Sequence, residues 1–161
     1  MVFSVALRML NDVGSAEDMV QETFLQAWTK LSDYEESKAA FSTWLYTIIN
    51  RKCIDQIRRS TNDTTTTQVN WDHLFENSDS LSEEIFYDTY LNANIIKQLS
   101  ASLSPMQKSV FVLRDLEGMD IEEVRQITGL SVNQIKDNLY LARKSLRNKF
   151  ESLKKLQDHE R

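Results

Sequence analysis

The clearest alternation of apolar and polar positions runs from Leu103 to Phe150, and it predicts three helices separated by two tight turns. Each helix start has a capping residue followed three positions later by an acid or amide, which is the spacing of a capping box. The three pairs are Ser104 with Gln107, Asp120 with Glu123, and Ser131 with Gln134. Gly118 and Gly129 follow the first two helices, where a residue with positive φ ends a helix at little cost. The short second turn is typical of a helix-turn-helix.

The third of these helices has two contrasting faces. Ile135, Leu139, Ala142 and Leu146 recur at helical spacing and form one apolar stripe for packing. The remaining surface offers amides and cations, which suit base edges and phosphates. An alternative is a small helical bundle with a solvated polar face, but two capping boxes around a glycine turn favour the helix-turn-helix. The candidate DNA-binding residues are Ser131, Asn133, Gln134, Lys136, Asp137, Tyr140, Arg143 and Lys144.

The first thirty residues predict two helices. One covers Val2 to Leu10 and stops before Gly14, and Ser15 opens the other. Its predicted buried stripe consists of Val20, Phe24, Ala27 and Leu31. The opposite side, with Asp18, Glu22, Leu25, Gln26 and Thr29, is acidic and partly apolar. Such a surface suits docking of a basic helical partner, although a merely solvated face is the alternative.

A longer helix, FSTWLYTIINRKCIDQIRRS, begins at Phe41. Aromatic residues near its start and four cations in its second half suit single-stranded DNA, where bases stack on rings and phosphates meet Arg or Lys. The alternative is that the rings are core and that the cations complement the helix dipole. These residues are Phe41, Trp44, Tyr46, Arg51, Lys52, Arg58 and Arg59.

Composition favours an all-α protein. Three Gly and one Pro among 161 residues leave little material for a sheet, and 41% hydrophobic residues support packed cores. The polar run from Thr61 to Gln68 has nothing to bury and predicts a flexible tether. Trp71, Leu74 and Phe75 follow it, and Ser80 with Glu83 opens another predicted helix. The prediction is two small helical domains, 1–60 and 81–152, joined by a flexible acidic linker, 61–80, with a charged tail, 153–161.

Charge and residue content exclude several classes of site. The net charge is −5, but residues 104–161 carry eleven basic and nine acidic side chains, so the acidity lies mainly in the middle of the chain, residues 61–103. A weakly basic second domain indicates that another protein supplies part of the energy of any DNA binding. One cysteine, Cys53, and two distant histidines predict neither a disulfide nor a metal site, and no cofactor is expected. No signal segment or long apolar run appears, so a cytoplasmic protein without membrane insertion is expected.

Three blocks carry a family resemblance. LSPMQKSVFVLRDLEGMDIEEV and TGLSVNQIKDNLYLARKSLR resemble region 4 of the sigma-70 transcription initiation factors, which binds the minus-35 promoter element. AEDMVQETFLQAW resembles region 2.2, and FSTWLY with IDQIRR resembles regions 2.3 and 2.4. Arg125 and Asp137 stand where the family usually has small residues, Asn138 where Arg is common, and Arg51 where Asn is common.

The resemblance implies an extracytoplasmic-function (ECF) sigma factor, because the additional regions of larger sigma factors are missing. It implies no enzyme activity, core RNA polymerase and promoter DNA as partners, and control by an anti-sigma protein. The family's first helix usually starts further upstream than Val2. The implied contacts to the clamp coiled coil of the largest polymerase subunit are Asp18, Gln21, Glu22, Leu25 and Gln26. The implied minus-10 residues, beside the base-holding loop 33–40, are Lys38, Trp44, Tyr46, Asn50, Arg51 and Arg58.

Two alternatives stay open. A helix-turn-helix regulator would bind its operator without polymerase and use its first domain for dimerisation or sensing. Such a protein would bind duplex DNA alone with a steep salt dependence. A helical adaptor that binds only protein would fit the net acidity and the carboxylate of Asp137, and it would show no DNA dependence in any assay.

Overall fold

The computed structural model describes residues 2–62 and 102–159, and every regular element in these two ranges is a helix. A 3₁₀ turn, Leu31–Asp33, follows the second helix, and a π-helical turn, Val112–Leu116, continues the fourth. The all-α prediction is confirmed. Most of the predicted linker, the Trp71–Phe75 segment and the helix expected at Ser80 lie outside the described residues. The helices are α1 (Val2–Leu10), α2 (Val13–Thr29), α3 (Phe41–Asn62), α4 (Pro105–Phe111), α5 (Ile121–Thr128) and α6 (Val132–His159).

All three predicted capping boxes are present. The carboxylate of Asp120 accepts from the amide of Glu123 at 2.8 Å, and the carboxylate of Glu123 accepts from the amide of Asp120 at 2.9 Å. Ser104 with Gln107 and Ser131 with Gln134 make the same reciprocal pair of bonds. Each box satisfies two backbone donors that a helix start would otherwise leave without a partner. The starts of α4, α5 and α6 are therefore fixed by residues adjacent in sequence.

The junction between α1 and α2 differs from the prediction. Ser15 does not open α2, because the helix begins at Val13 with Asp12 as its cap. The Asp12 carboxylate accepts from the amide of Ser15 at 2.8 Å. Asn11 adopts a φ of 54°, a left-handed conformation that Asn tolerates better than most residues, and it separates the two helices. The turn is therefore made by Asn11 and Asp12, before Gly14.

The buried face of α2 is only partly the predicted stripe: Ala27 is buried and Val20 half-buried as expected, but Phe24 and Leu31 are not. Phe24 and Leu31 are 53% and 48% exposed, whereas Ala16, Thr23 and Ala27 are buried. These three small side chains let α1 and α3 pack closely on α2, and larger side chains would hold the helices apart. The Thr23 hydroxyl is satisfied because it donates to the carbonyl oxygen of Met19 at 2.7 Å. The prediction that Phe24 and Leu31 are buried was wrong.

One apolar core joins the first and second halves of the described chain. From the first half it contains Val5, Ala6, Met9, Ala16, Tyr46, Ile49, Cys53 and Ile54. From the second half it contains Val110, Val112, Leu113, Met119, Val124, Ile127, Ile135 and Leu139. Helix α3 packs on α4 and α5, and α1 packs on the π-helical turn. The domain boundaries stay a prediction, but within the described residues the two halves bury apolar surface against each other.

Two glycines with different backbones give a matched test of this fold. Gly129 ends α5 with a φ of 73°, whereas Gly14 lies inside α2, where an added Cβ would meet only the Asp12 carboxylate at 3.7 Å. Gly129→Ala should lower the free energy of unfolding by about 1–2 kcal/mol, because alanine is strained at positive φ. Gly14→Ala should raise it by about 0.4–1 kcal/mol by reducing the entropy of the unfolded chain. Urea unfolding of the two variants measures both changes in the free energy of unfolding. Changes of the same sign would contradict the backbone conformations described for Gly129 and Gly14.

Candidate nucleic-acid and partner-binding surfaces

The polar surface of α6 is formed by the eight residues predicted to bind DNA, and all eight are exposed. Some of these side chains already make hydrogen bonds within the protein. Ser131 and Gln134 are occupied with each other in the capping box. The Arg143 guanidinium donates to both carboxylate oxygens of Asp115 at 2.8 and 2.6 Å, and this bonding raises the pKa of Arg143. The other exposed side chains of this set, all in the first half of α6, are Asn133, Lys136, Asp137, Tyr140 and Lys144.

Beside this surface lies a cationic groove of about 660 Å³, bounded by the π-helical turn, the start of α5 and α6. Its floor includes the apolar side chains of Ile121 and Leu139. Five cationic side chains line it, and two of them, Arg114 and Arg147, were not among the predicted residues. Arg147 follows Lys144 by three positions, so helical spacing alone would have found it. The other cations are Lys136, Arg143 and Lys144.

The six predicted minus-10 residues are not brought together. Lys38, Arg51 and Arg58 are exposed and Trp44 is half-buried, whereas Tyr46 and Asn50 are buried beneath the second half of the chain. The amide oxygen of Asn50 accepts from the Ser109 hydroxyl at 2.6 Å. Burial raises the pKa of Tyr46, as do the nearby charges of Glu117 and Glu123.

Three aromatic rings stabilise the loop before α3. Tyr34 packs edge-on against Phe41 with ring centroids 5.2 Å apart, and it lies 5.3 Å from Trp44. The Tyr34 hydroxyl donates to the carbonyl oxygen of Ala39 at 3.2 Å, so it connects the two ends of the loop. At the loop surface, the Lys38 ammonium pairs with Glu35 at 2.7 Å. Tyr34 was missed from sequence, although an aromatic residue seven positions before Phe41 was visible there.

The exposed face of α2 carries the predicted polymerase contacts. Asp18, Gln21, Glu22 and Leu25 are exposed, and Gln26 is half-buried. Glu22 accepts from the Lys52 ammonium of α3 at 2.9 Å. Trp28, which sequence reasoning did not select, is 78% exposed. At 100° per residue it lies about 60° from Leu25 and about 20° from Gln21 around the helix, so it belongs to the same face.

Two regions of the chain match known protein families. Residues 1–62 match the family Sigma-70 region 2, and residues 93–146 match Sigma-70, region 4. The chain therefore belongs to the sigma-70 family. The ECF sigma factor SigE of Mycolicibacterium smegmatis is 27% identical over 91% of this chain and 56% of its own length. The ECF sigma factor SigW of Bacillus subtilis is 26% identical over 94% of this chain and 84% of its own length. Within the family, the chain is an ECF sigma factor.

Two solved structures share the fold. The sigma factor RpoE in complex with the anti-sigma factor NepR from Bartonella quintana has a TM-score of 0.65 and 23% identity, over 93% of this chain and 89% of that one. CnrH in complex with the cytosolic domain of CnrY has a TM-score of 0.67 and 22% identity, over 94% of this chain and 81% of that one. In the part of the chain that the structure describes, no helix is both long and apolar enough to cross a membrane.

Proposed function

We propose that this chain is a promoter-specificity subunit that binds core RNA polymerase and directs initiation by recognising minus-10 and minus-35 elements. The observation that carries the proposal is the order of two sigma-70 regions on one chain, each with an exposed polar surface. Residues 1–60 bind polymerase and the minus-10 element, residues 81–152 bind the minus-35 element, and 61–80 connect them. The protein acts in the cytoplasm, where promoter DNA and polymerase are found, and has no catalytic activity of its own.

The minus-35 role belongs to the exposed half of α6. A helix that presents amides to base edges and cations to phosphates is the usual arrangement for major-groove binding. Asn133 offers a donor and an acceptor that match adenine, whereas Lys136, Lys144 and Arg147 offer positive charge along the groove. The Asp137 carboxylate opposes phosphate on the same face, so unaided affinity is expected to be low and polymerase must supply the remaining binding energy.

The polymerase role belongs to the exposed face of α2. Asp18 and Glu22 supply negative charge, and Leu25 with Trp28 supplies apolar area beside it. A basic amphipathic helix, such as the clamp coiled coil of the largest subunit, fits this combination.

The minus-10 role is assigned to α3 and its preceding loop. Arg51 and Arg58 are exposed along α3, and the ring cluster of Tyr34, Phe41 and Trp44 shapes the loop. We propose that these cations contact phosphates of the non-template strand while the loop holds a flipped base.

We also propose control by an anti-sigma protein. Both structural neighbours were solved as complexes with such a protein or with a cytosolic domain of their partner. The exposed faces of α2 and α6 are the surfaces that such a partner would have to cover.

Capture of core RNA polymerase by the purified chain tests the proposed function. The wild-type chain should retain polymerase, and Asp18→Ala/Glu22→Ala should lose most of it. Glu122→Ala is the matched control, because it also removes an exposed carboxylate but lies on α5. A wild-type chain that captures no polymerase, yet binds duplex DNA alone with a steep salt dependence, would support the stand-alone regulator instead.

Trp28 should act as an apolar anchor of the same interface. Large exposed aromatic residues are the commonest centres of binding energy in protein interfaces. Trp28→Ala should therefore weaken polymerase binding about tenfold, whereas Trp28→Phe should lose less. Titration of labelled polymerase measures both, with Leu141→Ala on α6 as a control for the loss of an exposed apolar side chain. Unchanged affinity for Trp28→Ala would exclude the residue from the interface.

A further inference from the structure

A bidentate ion pair joins the π-helical turn to α6. The Arg143 guanidinium donates through Nε and Nη2 to the two carboxylate oxygens of Asp115, at 2.8 and 2.6 Å. These bonds use one edge of the planar guanidinium. The Nη1 group on the opposite edge has no acceptor among the residues that the structure describes. Because a guanidinium donates from all three of its nitrogen atoms, Arg143 keeps donors for a ligand even though it is paired.

The turn that carries Asp115 is itself firmly held. Val112, at its start, is buried in the core. The amide of Glu117 donates to the carbonyl oxygen of Val112 at 2.9 Å, which is the hydrogen bond that defines a π-helical turn. Beside Asp115, the Arg114 guanidinium donates to the carbonyl oxygen of Met119 at 2.7 Å, and this bond connects the turn to the segment before α5. Since its backbone is fixed on both sides, Asp115 can fix the orientation of its partner.

The two members of the pair differ in exposure. The side chain of Asp115 is 19% exposed, whereas that of Arg143 is 58% exposed. The carboxylate is therefore mostly covered, and the guanidinium is open to a ligand. An ion pair with one exposed partner contributes little to the stability of the fold, because solvent screens its charges. Its geometric effect is larger, since a guanidinium bound along one edge presents its other edge in a fixed orientation.

The oriented guanidinium lines the cationic groove beside α6. At 100° per residue, Arg143 lies about 80° around the helix from Asn133, the proposed base contact. A side chain at this angle faces a wall of the major groove rather than the base edges, and the walls are the phosphate backbones. Arg114, Lys136 and Arg147 line the same groove, so this flank of α6 is cationic. A backbone phosphate is the ligand that fits it.

We propose that Asp115 is a positioning residue for DNA binding, which holds the Arg143 guanidinium with its remaining donors directed at one backbone phosphate of the minus-35 duplex. Two phosphate oxygens can accept parallel hydrogen bonds from a guanidinium edge. Asp115 itself does not contact DNA. It reduces the entropy that the Arg143 side chain loses on binding, because the side chain is already ordered in the unbound chain. The inference rests on the proposed function for the identity of the duplex.

Asp115→Asn separates positioning from charge. Asparagine has the same size but only one acceptor oxygen, so it cannot hold both donors of Arg143. Loss of a negative charge near DNA would by itself tighten binding. Positioning predicts the opposite: the holoenzyme should bind a duplex, selected from a library randomised in the upstream element, about threefold more weakly, with unchanged base preference. Asp137→Asn is the matched control, because it makes the same substitution on the exposed surface of α6 and should bind more tightly.

Arg143→Lys tests the other member of the pair. Lysine keeps the positive charge but has no planar fork, so this variant should also bind about threefold more weakly. In the Arg143→Lys background, Asp115→Asn should cause no further loss. Duplexes in which single phosphates are replaced by neutral methylphosphonates locate the contact. The wild-type holoenzyme should lose affinity at each contacted phosphate, and at one of them both single variants should lose clearly less.

The outcomes are distinct. Equal or tighter binding by folded Asp115→Asn would overturn the positioning role, and an unchanged methylphosphonate pattern in Arg143→Lys would exclude the phosphate contact. Circular dichroism shows whether each variant is folded, and Arg143→Lys carries the test if Asp115→Asn is not. Polymerase capture tests the proposed function separately. If the chain captures no polymerase, the same variants are compared on duplex DNA with the chain alone, because the ion pair lies within one chain.

Discussion

Replacing Ile49 by alanine should lower the free energy of unfolding by about 2–5 kcal/mol, which is a large part of the stability of an ordinary small protein. Ile49 has no exposed surface and lies in the core to which both halves contribute. Removal of its three outer carbon atoms loses buried apolar area and leaves a cavity that the surrounding helices fill only in part. Urea unfolding followed by circular dichroism measures the change.

Leu141→Ala is the control for the Ile49 substitution. It also shortens an aliphatic side chain on a helix, but Leu141 is 48% exposed on α6, so the expected change is within about 0.5 kcal/mol. A loss below about 1 kcal/mol for Ile49→Ala would show that the site collapses onto its neighbours or that the shared core is not formed in solution.

The helix starts could be predicted because the information that fixes them is local. Asp120 and Glu123, or Ser131 and Gln134, are three residues apart, and their hydrogen bonds depend on nothing outside one turn of helix. The same reasoning explains why the start of α2 was placed two residues late. Asp12 and Ser15 have the spacing of a capping residue and its amide partner, but the prediction opened the helix at Ser15 itself.

The contact between the halves could not be predicted, because it depends on distant residues. Sequence shows that Ile49 and Val124 are apolar, but it does not show that they share a core. The bond between Asn50 and Ser109 spans 59 positions and has no local signature. Asn50 was therefore included among the DNA contacts that the family resemblance implies, with no indication that another helix covers it.

The surfaces of α6 and α2 show how far hydrophobic periodicity predicts which face of a helix is buried. On α6 the predicted stripe is buried at Ile135, Leu139 and Ala142 and half-buried at Leu146, so the residues opposite are exposed as expected. On α2 the predicted stripe is confirmed at Ala27, which is buried, but Phe24 and Leu31 are exposed, and the other buried residues are Ala16 and Thr23. Hydrophobicity alone could not show this, because close helix packing favours a small side chain such as Ala16 over a larger one.

Substitutions on α6 should separate the affinity for the minus-35 duplex from the preference for its base sequence. Lys144→Ala removes a positive charge and should weaken minus-35 binding by the holoenzyme at every sequence, with a salt dependence reduced by about one phosphate contact. Asn133→Ala removes the proposed base contact and should reduce discrimination at one base pair by about 1–3 kcal/mol. Selection by the holoenzyme from a duplex library randomised in the upstream element measures preference, and titration at several salt concentrations measures affinity.

Two further substitutions on α6 decide whether charge and base contacts divide in this way. Asp137→Asn keeps the size of the side chain and removes a negative charge from the same face, so it should strengthen binding without changing the preferred sequence. Lys149→Ala also removes a cation, but it lies five residues after Lys144 and about 140° further round the helix, so it should have little effect. If Asn133→Ala leaves preference unaltered while Asp137→Asn changes it, the base contact belongs to position 137, because the side chain that touches a base edge is the one whose replacement changes the selected sequence.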